Sequence, residues 1–143
     1  MYITNEERYE RYFWTLNKWI FLKTHEIDLF KHPQLRNVGS LALYGMGEIG
    51  KRIYEELESS GRKINFLVDK NGDALFADIP IYTGMEALPQ VDVIIVSMIC
   101  EFQEIEEHLK RVYLGPILSF EKVVNDLWEE YWIRDDNYYR TSV

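Results

Sequence analysis

The sequence contains very little cysteine and histidine. Cys100 is the only cysteine, so no disulfide can form within the chain and no cysteine-rich metal site can be assembled. The three histidines, His25, His32 and His108, show no ligand spacing with one another or with the carboxylates. We therefore expect no metal site. We expect Cys100, which follows an apolar run and has no base nearby in the sequence, to be a small buried hydrophobic residue rather than a nucleophile.

The sequence also lacks a basic stretch and a long apolar run. It has 16 Lys and Arg residues, scattered along the chain, against 24 Asp and Glu residues, which gives a formal net charge of -8. This charge repels polyanions, so we expect no nucleic-acid partner. The most apolar segment, residues 91–100, is much too short to cross a bilayer, and the first residues do not have the pattern of a signal peptide. We expect a cytoplasmic protein that does not enter a membrane.

The composition is that of one folded domain. The chain has 143 residues, of which 47% are hydrophobic and 15% aromatic. This length suffices for one core but not for a cofactor domain followed by a separate substrate domain. Within a single domain, 1–143, we expect an N-terminal helical extension (1–39), a Rossmann-like core (40–120), and a C-terminal helix with a frayed tail (121–143).

Both ends are predicted helices that are rich in aromatic residues. Thr4 and Glu7 have the spacing of a capping box, and an apolar stripe follows at helical spacing, which something must cover. The stripe consists of Tyr9, Phe13, Leu16 and Ile20. All four tryptophans lie in the two end segments: Trp14, Trp19, Trp128 and Trp132. Either the ends enlarge the protein's own core, or they form a surface for a homodimer or a partner enzyme.

Between the two ends, short apolar runs alternate with amphipathic segments. Five strands are predicted within residues 41–44, 64–68, 79–82, 91–98 and 115–120. Helices are predicted after the first strand, ending at Gly61, after the fourth strand from Phe102, and over residues 121–133. Continuous apolar strands joined by helices form parallel sheets. We therefore predict an α/β fold, a Rossmann-like doubly wound parallel sheet with strand order 3-2-1-4-5.

The third strand has two local signals. Pro80 cannot donate to a sheet ladder, which favours a position at the sheet edge. Thr83 and Glu86 then repeat the capping-box spacing and predict a single helical turn through Leu88.

A glycine loop follows the first strand. Gly45, Gly47 and Gly50 satisfy G-x-G-x-x-G between a predicted strand and a predicted helix, which is the context that dinucleotide-binding loops require. Gly45 permits a tight turn, Gly47 lets the backbone approach a pyrophosphate, and Gly50 lets the helix pack close to the strand. Asp69 ends the second strand, nineteen residues after Gly50, where its carboxylate can accept hydrogen bonds from a ribose. The predicted site also includes Met46, Glu48, Ile49, Lys70 and Ser97.

The sequence predicts the glycine loop more specifically than it predicts the ligand. Asp69 would repel a 2′-phosphate, which favours NAD over NADP, although Lys70 beside it acts in the opposite direction. Ser97 ends the fourth strand and can line the ligand crevice or cap the chain, but it has no visible base for catalysis. The same glycines also fit a plain tight turn that binds no ligand. In that case the negative charge of Glu48, in the first turn of the following helix, would partly satisfy the positive end of the helix dipole.

This series of motifs resembles the small Rossmann-like domains of bacterial surface-polysaccharide and glycosyltransferase gene clusters, which are similar to the N-terminal nucleotide-sugar-binding domains of sugar O- and N-acyltransferases. The resemblance covers residues 40–124 and depends on the glycine loop, Asp69, residues 79–82 and residues 92–96. It implies a module that binds NAD or a nucleotide sugar. The left-handed helical domain that performs acyl transfer in those enzymes is absent from the sequence, so the resemblance implies an accessory role without catalytic residues.

Two alternatives stay open. One is a minimal NAD-dependent oxidoreductase whose active site a partner subunit completes, because no residue set for hydride transfer is visible in the chain itself. The other is a structural interaction domain that keeps the fold and has a vestigial glycine loop.

Overall fold

The structure is a computed structural model that describes residues 2–72 and 78–134. The tail that we expect to be frayed lies almost entirely outside these residues. The chain forms two compact units. One unit, Asn37–Phe120, holds the sheet, and the other consists of the chain up to Arg36 together with the chain from Glu121 onward.

The sheet unit contains five strands, with one helix after the first strand and one after the fourth, as predicted. Its elements are β1 (Leu41–Tyr44), α2 (Glu48–Ser59), β2 (Phe66–Val68), β3 (Ile81–Tyr82), β4 (Val93–Val96), α3 (Phe102–Leu109) and β5 (Ile117–Ser119). All five strands are parallel and lie in the order β3-β2-β1-β4-β5, which confirms the predicted Rossmann-like α/β sheet. Strand β3 is at the edge, where Pro80 accepts a hydrogen bond from the Leu67 N–H through its carbonyl oxygen and need not donate.

The core of this unit follows from the composition of its strands. Strands β1, β2 and β4 are buried along their whole length, because each is a continuous apolar run that occupies the middle of a parallel sheet. Alternate strand residues and one side of α3 form a continuous hydrophobic cluster on one face of the sheet. Its buried members are Ala42, Tyr44, Phe66, Val68, Val91, Ile94, Val96, Ile105, Leu109 and Tyr113.

The segment after β3 contradicts one prediction. One half of the capping box is present, since the Glu86 carboxylate accepts a hydrogen bond from the Thr83 N–H at 2.8 Å, but the Thr83 hydroxyl donates to the same carboxylate at 2.8 Å and so does not act as the N-cap acceptor. No helical turn follows, however, and residues 84–86 only bend. Gly84 has φ +92°, which is left-handed backbone, and Leu88 precedes Pro89, a position that disfavours helix. The short stretch between these two breakers has no room for a helical turn.

The other unit contains α1 (Asn5–Thr24), a short 3₁₀ helix (Leu29–Lys31) and most of α4 (Phe120–Arg134). The predicted capping box of α1 is confirmed, because the Thr4 N–H donates to Glu7 Oε2 at 2.8 Å and the Glu7 N–H donates to Thr4 Oγ1 at 3.1 Å. Polar contacts join α1 to α4. Arg11 donates to both carboxylate oxygens of Glu121, and Lys18 donates to Asn125 at 3.0 Å.

The face of α1 that packs is not the predicted stripe. The buried residues of the helix are Thr15, Trp19 and Leu22. In contrast, Tyr9, Phe13 and Ile20 are 71%, 60% and 62% exposed, and Leu16 is half-buried. The described residues of the chain therefore leave most of the predicted stripe exposed, and what covers it stays a prediction. The reason is that α1 carries apolar side chains around most of its circumference, so periodicity alone does not indicate which side faces the core.

The tryptophans of this unit are divided between interior and surface. Trp19 is buried, Trp14 is half exposed, and Trp128 stacks on Trp132 with ring centroids 5.3 Å apart. Part of the aromatic content thus enlarges the protein's own core, as the first of the two interpretations expects.

Within residues 2–72 and 78–134, no helix has both the length and the hydropathy needed to cross a bilayer.

Candidate functional site

The glycine loop lies at the point where the strand order of the sheet reverses. It connects the end of β1 to the start of α2, and β1 is the strand from which β2 and β4 diverge on either side. Open parallel sheets bind ligands at this position, beyond the carboxyl ends of the strands. The topology therefore brings the predicted loop residues, Asp69 and Ser97 to one edge of the sheet.

Two of the three glycines are required by the backbone itself. Gly45 has φ +92°, and a Cβ there would lie 2.5 Å from the Ser97 hydroxyl oxygen. A Cβ at Gly50 would overlap the carbonyl oxygen of Gly45 and lie 2.8 Å from its carbonyl carbon. Gly50 therefore lets the first turn of α2 rest directly on the loop backbone. This is the close approach that the motif predicts, and it occurs against the loop rather than against the strand.

Gly47 is different, because it faces open space. It is the N-cap of α2, it is exposed, and a Cβ there would meet no atom within 4 Å. Its φ of -72° is accessible to any residue, so neither the backbone conformation nor the packing requires a glycine here, although glycine is among the residues that N-caps favour. No side chain caps the helix, and in the described part of the chain no group accepts a hydrogen bond from the N–H of Gly47, Glu48 or Ile49. These donors lie at the positive end of the helix dipole, where an anion is stabilised.

Glu48 is directed away from these donors. Its side chain is 89% exposed, and a carboxylate oxygen lies 3.6 Å from the ammonium group of Lys51. The pairing follows the i, i+3 spacing of neighbours on one helix face. Glu48 therefore makes a surface ion pair and does not cap the N-terminus of α2.

Asp69 holds the loop in place. Its Oδ2 atom accepts a hydrogen bond from the Met46 N–H, and its Oδ1 atom accepts one from the Asn71 N–H, both at 2.8 Å. Its own N–H donates to the Tyr82 carbonyl at 2.8 Å, which continues the sheet ladder. Each carboxylate oxygen can accept a second hydrogen bond, so two acceptor directions are left for a ribose hydroxyl.

The charge of Asp69 affects its neighbour Tyr44. Burial and then the nearby carboxylate of Asp69 raise the pKa of the Tyr44 phenol above its ordinary value. Tyr44 therefore stays neutral at physiological pH. It belongs to the hydrophobic cluster under the loop and does not act as a base there.

Ser97 fastens the loop from the other side. It is 4% exposed, its N–H donates to the Tyr44 carbonyl at 3.0 Å, and its hydroxyl lies 3.0 Å from that carbonyl and 2.9 Å from the carbonyl of Gly45. The single hydroxyl proton is therefore used within the protein. This arrangement matches the capping role that the sequence suggests for Ser97, and a ligand could reach only its remaining acceptor positions.

The other predicted site residues differ in how far they are exposed. The Met46 side chain is 5% exposed, Ile49 is half-buried, and Lys70 is exposed beside Asp69. The sequence analysis missed Asn71 and Lys51. The Asp-Lys-Asn-Gly turn sequence is a signal for the first, because Asp side chains often accept from the N–H two residues later. The i, i+3 spacing from Glu48 is a signal for the second.

The sequence matches no family model, and no curated protein or solved structure matches it either. Support for a ligand therefore comes from the geometry of the loop. That geometry combines three backbone N–H groups that have no acceptor among the described residues, a glycine that neither packing nor backbone conformation requires, and the Asp69 carboxylate beside the loop.

Proposed function

We propose that this chain is a nucleotide-binding module that holds NAD or a nucleotide sugar at the glycine loop. The observation that carries the proposal is Gly47. Its neighbours Gly45 and Gly50 are explained by backbone contacts, whereas the space around Gly47 is empty and its helix N-terminus has no cap. A glycine at such a position is explained by a pyrophosphate that approaches the backbone closely.

The proposed ligand uses the rest of the site in a simple way. The pyrophosphate accepts hydrogen bonds from the N–H groups of Gly47, Glu48 and Ile49, and the ribose hydroxyls donate to the free acceptor directions of Asp69. A 2′-phosphate would lie against the Asp69 carboxylate, so NAD is preferred to NADP. Lys70 is exposed, and its flexible ammonium group only partly offsets that repulsion.

One observation favours the alternative of a vestigial loop. Asp69 already accepts two backbone hydrogen bonds, and this alone explains why a carboxylate follows β2. In this alternative the sheet is a structural interaction domain and the helix N-terminus faces water. The two proposals differ in one measurable property, which is whether a nucleotide binds.

The proposed setting is cytoplasmic surface-polysaccharide metabolism, because the motif series resembles domains from that context. The chain would present its ligand to a partner enzyme and would not transform it alone. The oxidoreductase alternative would require a partner subunit that supplies the acid or base for hydride transfer.

A thermal-shift panel tests the proposal. The full chain is heated with NAD, NADP, UDP-glucose, coenzyme A and S-adenosylmethionine, each at millimolar concentration. A ligand at about 100 times its dissociation constant adds about 2.7 kcal/mol of stability. For a chain of this size, that corresponds to a rise of about 5–10 °C in Tm. We expect NAD or UDP-glucose to give such a rise and NADP to give less than NAD, whereas a flat response to all five compounds would favour the vestigial loop.

A further inference from the structure

Helix α1 exposes an ordered apolar stripe. We use the term α1 stripe for the four residues Tyr9, Phe13, Leu16 and Ile20. Three of them are more than half exposed, and the rings of Phe13 and Trp14 form a T-shaped pair with centroids 5.2 Å apart. Their spacings of four, three and four residues alternate in the way that the a and d positions of a heptad repeat do, by which two helices pack along a shared seam.

Charged residues extend the α1 stripe at both ends with the same spacing. Glu6 lies three residues before Tyr9, Lys23 lies three residues after Ile20, and both are exposed. The seam therefore begins with a negative side chain and ends with a positive one. Two parallel copies would place Glu6 against Glu6 and Lys23 against Lys23, whereas two antiparallel copies would place each Glu6 against a Lys23.

We infer that the α1 stripe is the interface of an antiparallel homodimer. A two-fold axis between Phe13 and Leu16 pairs Phe13 with Leu16 of the second copy and Tyr9 with Ile20. The same axis pairs Glu6 with Lys23 at both ends. A single two-fold rotation therefore places each of the six seam residues against a complementary residue of the second copy. A self-complementary patch of this kind is what a two-fold interface requires. The antiparallel arrangement also opposes the two helix dipoles.

The size of the α1 stripe predicts a dimer that dissociates readily. A fully buried aromatic side chain removes about 150–250 Å² from water, and Tyr9 and Phe13 retain 71% and 60% of their exposure. With Leu16, Ile20 and the stems of the two charged residues, two copies would bury on the order of 1,000 Å² in total. Interfaces of this area are typical of weak, transient association.

Sedimentation velocity of the full chain tests the inference. The measurement is made with a reductant, so that Cys100 cannot link copies, at concentrations from about 1 µM to about 1 mM, which span weak interfaces. We expect the weight-average mass to rise from monomer to dimer across this range. Phe13→Glu places a charge at the centre of the seam, and we expect it to stay monomeric. For the milder variant Ile20→Gln, we expect a weight-average mass between those of the monomer and the dimer.

A matched control separates the seam from general loss of apolar surface. Leu114 is 81% exposed and lies in the sheet unit, so Leu114→Glu makes a comparable change elsewhere. We expect it to dimerise like the wild type. Circular dichroism of every variant verifies that helix content is kept. A wild type that is monomeric at all concentrations, with the α1 stripe left to water or to a different protein, would overturn the inference, as would a dimer that Phe13→Glu leaves intact.

Charge reversal tests the orientation. Glu6→Lys places two positive residues at both ends of the antiparallel seam, so the dissociation constant should rise about tenfold or more, and adding Lys23→Glu should restore it. In a parallel pair the single change replaces one like-charge contact by another and leaves association nearly unchanged. That result would reject the antiparallel arrangement. None of these variants touches the glycine loop, so failure of this inference is distinguishable from failure of nucleotide binding.

Discussion

Replacing Gly50 by alanine adds a methyl group where the backbone of the glycine loop already runs. The new Cβ would overlap the Gly45 carbonyl oxygen, lie 2.8 Å from the carbonyl carbon and lie 3.4 Å from the Ser97 hydroxyl oxygen. A flexible side chain could turn away from such a contact, but a backbone carbonyl cannot. The loop and the first turn of α2 must therefore separate.

The magnitude follows from two opposing effects. Overpacking in a tight region costs about 1–3 kcal/mol, and a rigid backbone neighbour puts Gly50→Ala at the upper end. Alanine in a helix recovers about 1 kcal/mol relative to glycine. We therefore expect a net loss of about 2 kcal/mol in the free energy of unfolding. Gly47→Ala is the matched control, with no atom within 4 Å of its Cβ, and we expect it to cost less than about 1 kcal/mol.

Urea unfolding followed by far-ultraviolet circular dichroism measures both variants under the same conditions. In a thermal melt of a chain of this length, the expected loss for Gly50→Ala lowers Tm by about 4–8 °C. If the free energies of unfolding of the two alanine variants differ by less than about 0.5 kcal/mol, the loop does not need the close approach at Gly50, and our explanation of that glycine is wrong.

Three further predictions concern side chains around the loop and between the end segments. Ser97→Ala removes the hydroxyl that holds the loop carbonyls, so urea unfolding should show a loss of about 1 kcal/mol, and an unchanged midpoint would contradict this. Asp69→Ala leaves the Met46 N–H without its acceptor and should cost about 1–3 kcal/mol even without ligand; no loss would mean that Asp69 does not fasten the loop. Burial opposes ionisation of Asp126, but hydrogen bonds from His32 and Lys122 outweigh it and hold the pKa of this carboxyl below its usual value. The pair therefore adds stability above the unfolded pKa of about 3.9, and this stability is lost as pH falls through the lower folded pKa. Asp126→Asn should lower Tm at pH 6 and converge with the wild type at about pH 2, whereas parallel Tm profiles would contradict this assignment.

Much of the sheet could be predicted because its signals are local. The runs that form β1, β2 and β4 are continuously apolar, and this composition requires burial on both faces of a parallel sheet. Gly45 and Gly50 are readable for the same reason, since only glycine fits a left-handed turn and a backbone contact. The strand order then follows from how short crossovers connect neighbouring strands.

The remaining features depend on contacts between distant residues. Apolar side chains around α1 do not indicate whether the side with Phe13 or the side with Trp19 is buried, because helical periodicity is satisfied by both. Asp69 has the spacing of a ribose ligand, but no sequence pattern shows that the Met46 N–H of the glycine loop donates to its carboxylate. Thr83 and Glu86 form only one of the two hydrogen bonds of a capping box, in a segment where two helix breakers prevent a helical turn.

The most direct test of the central claim is a calorimetric titration of the wild type and of Gly47→Val with NAD and with UDP-glucose. The valine side chain enters open space, so the fold should persist, while its methyl groups occupy the position of the proposed pyrophosphate. We predict saturable binding of one of the two compounds to the wild type, and affinity lower by about tenfold or more in the variant, which corresponds to at least about 1.4 kcal/mol. Equal affinity in both proteins would contradict the assignment of the site to the glycine loop, and no heat of binding in the wild type would contradict the proposed function.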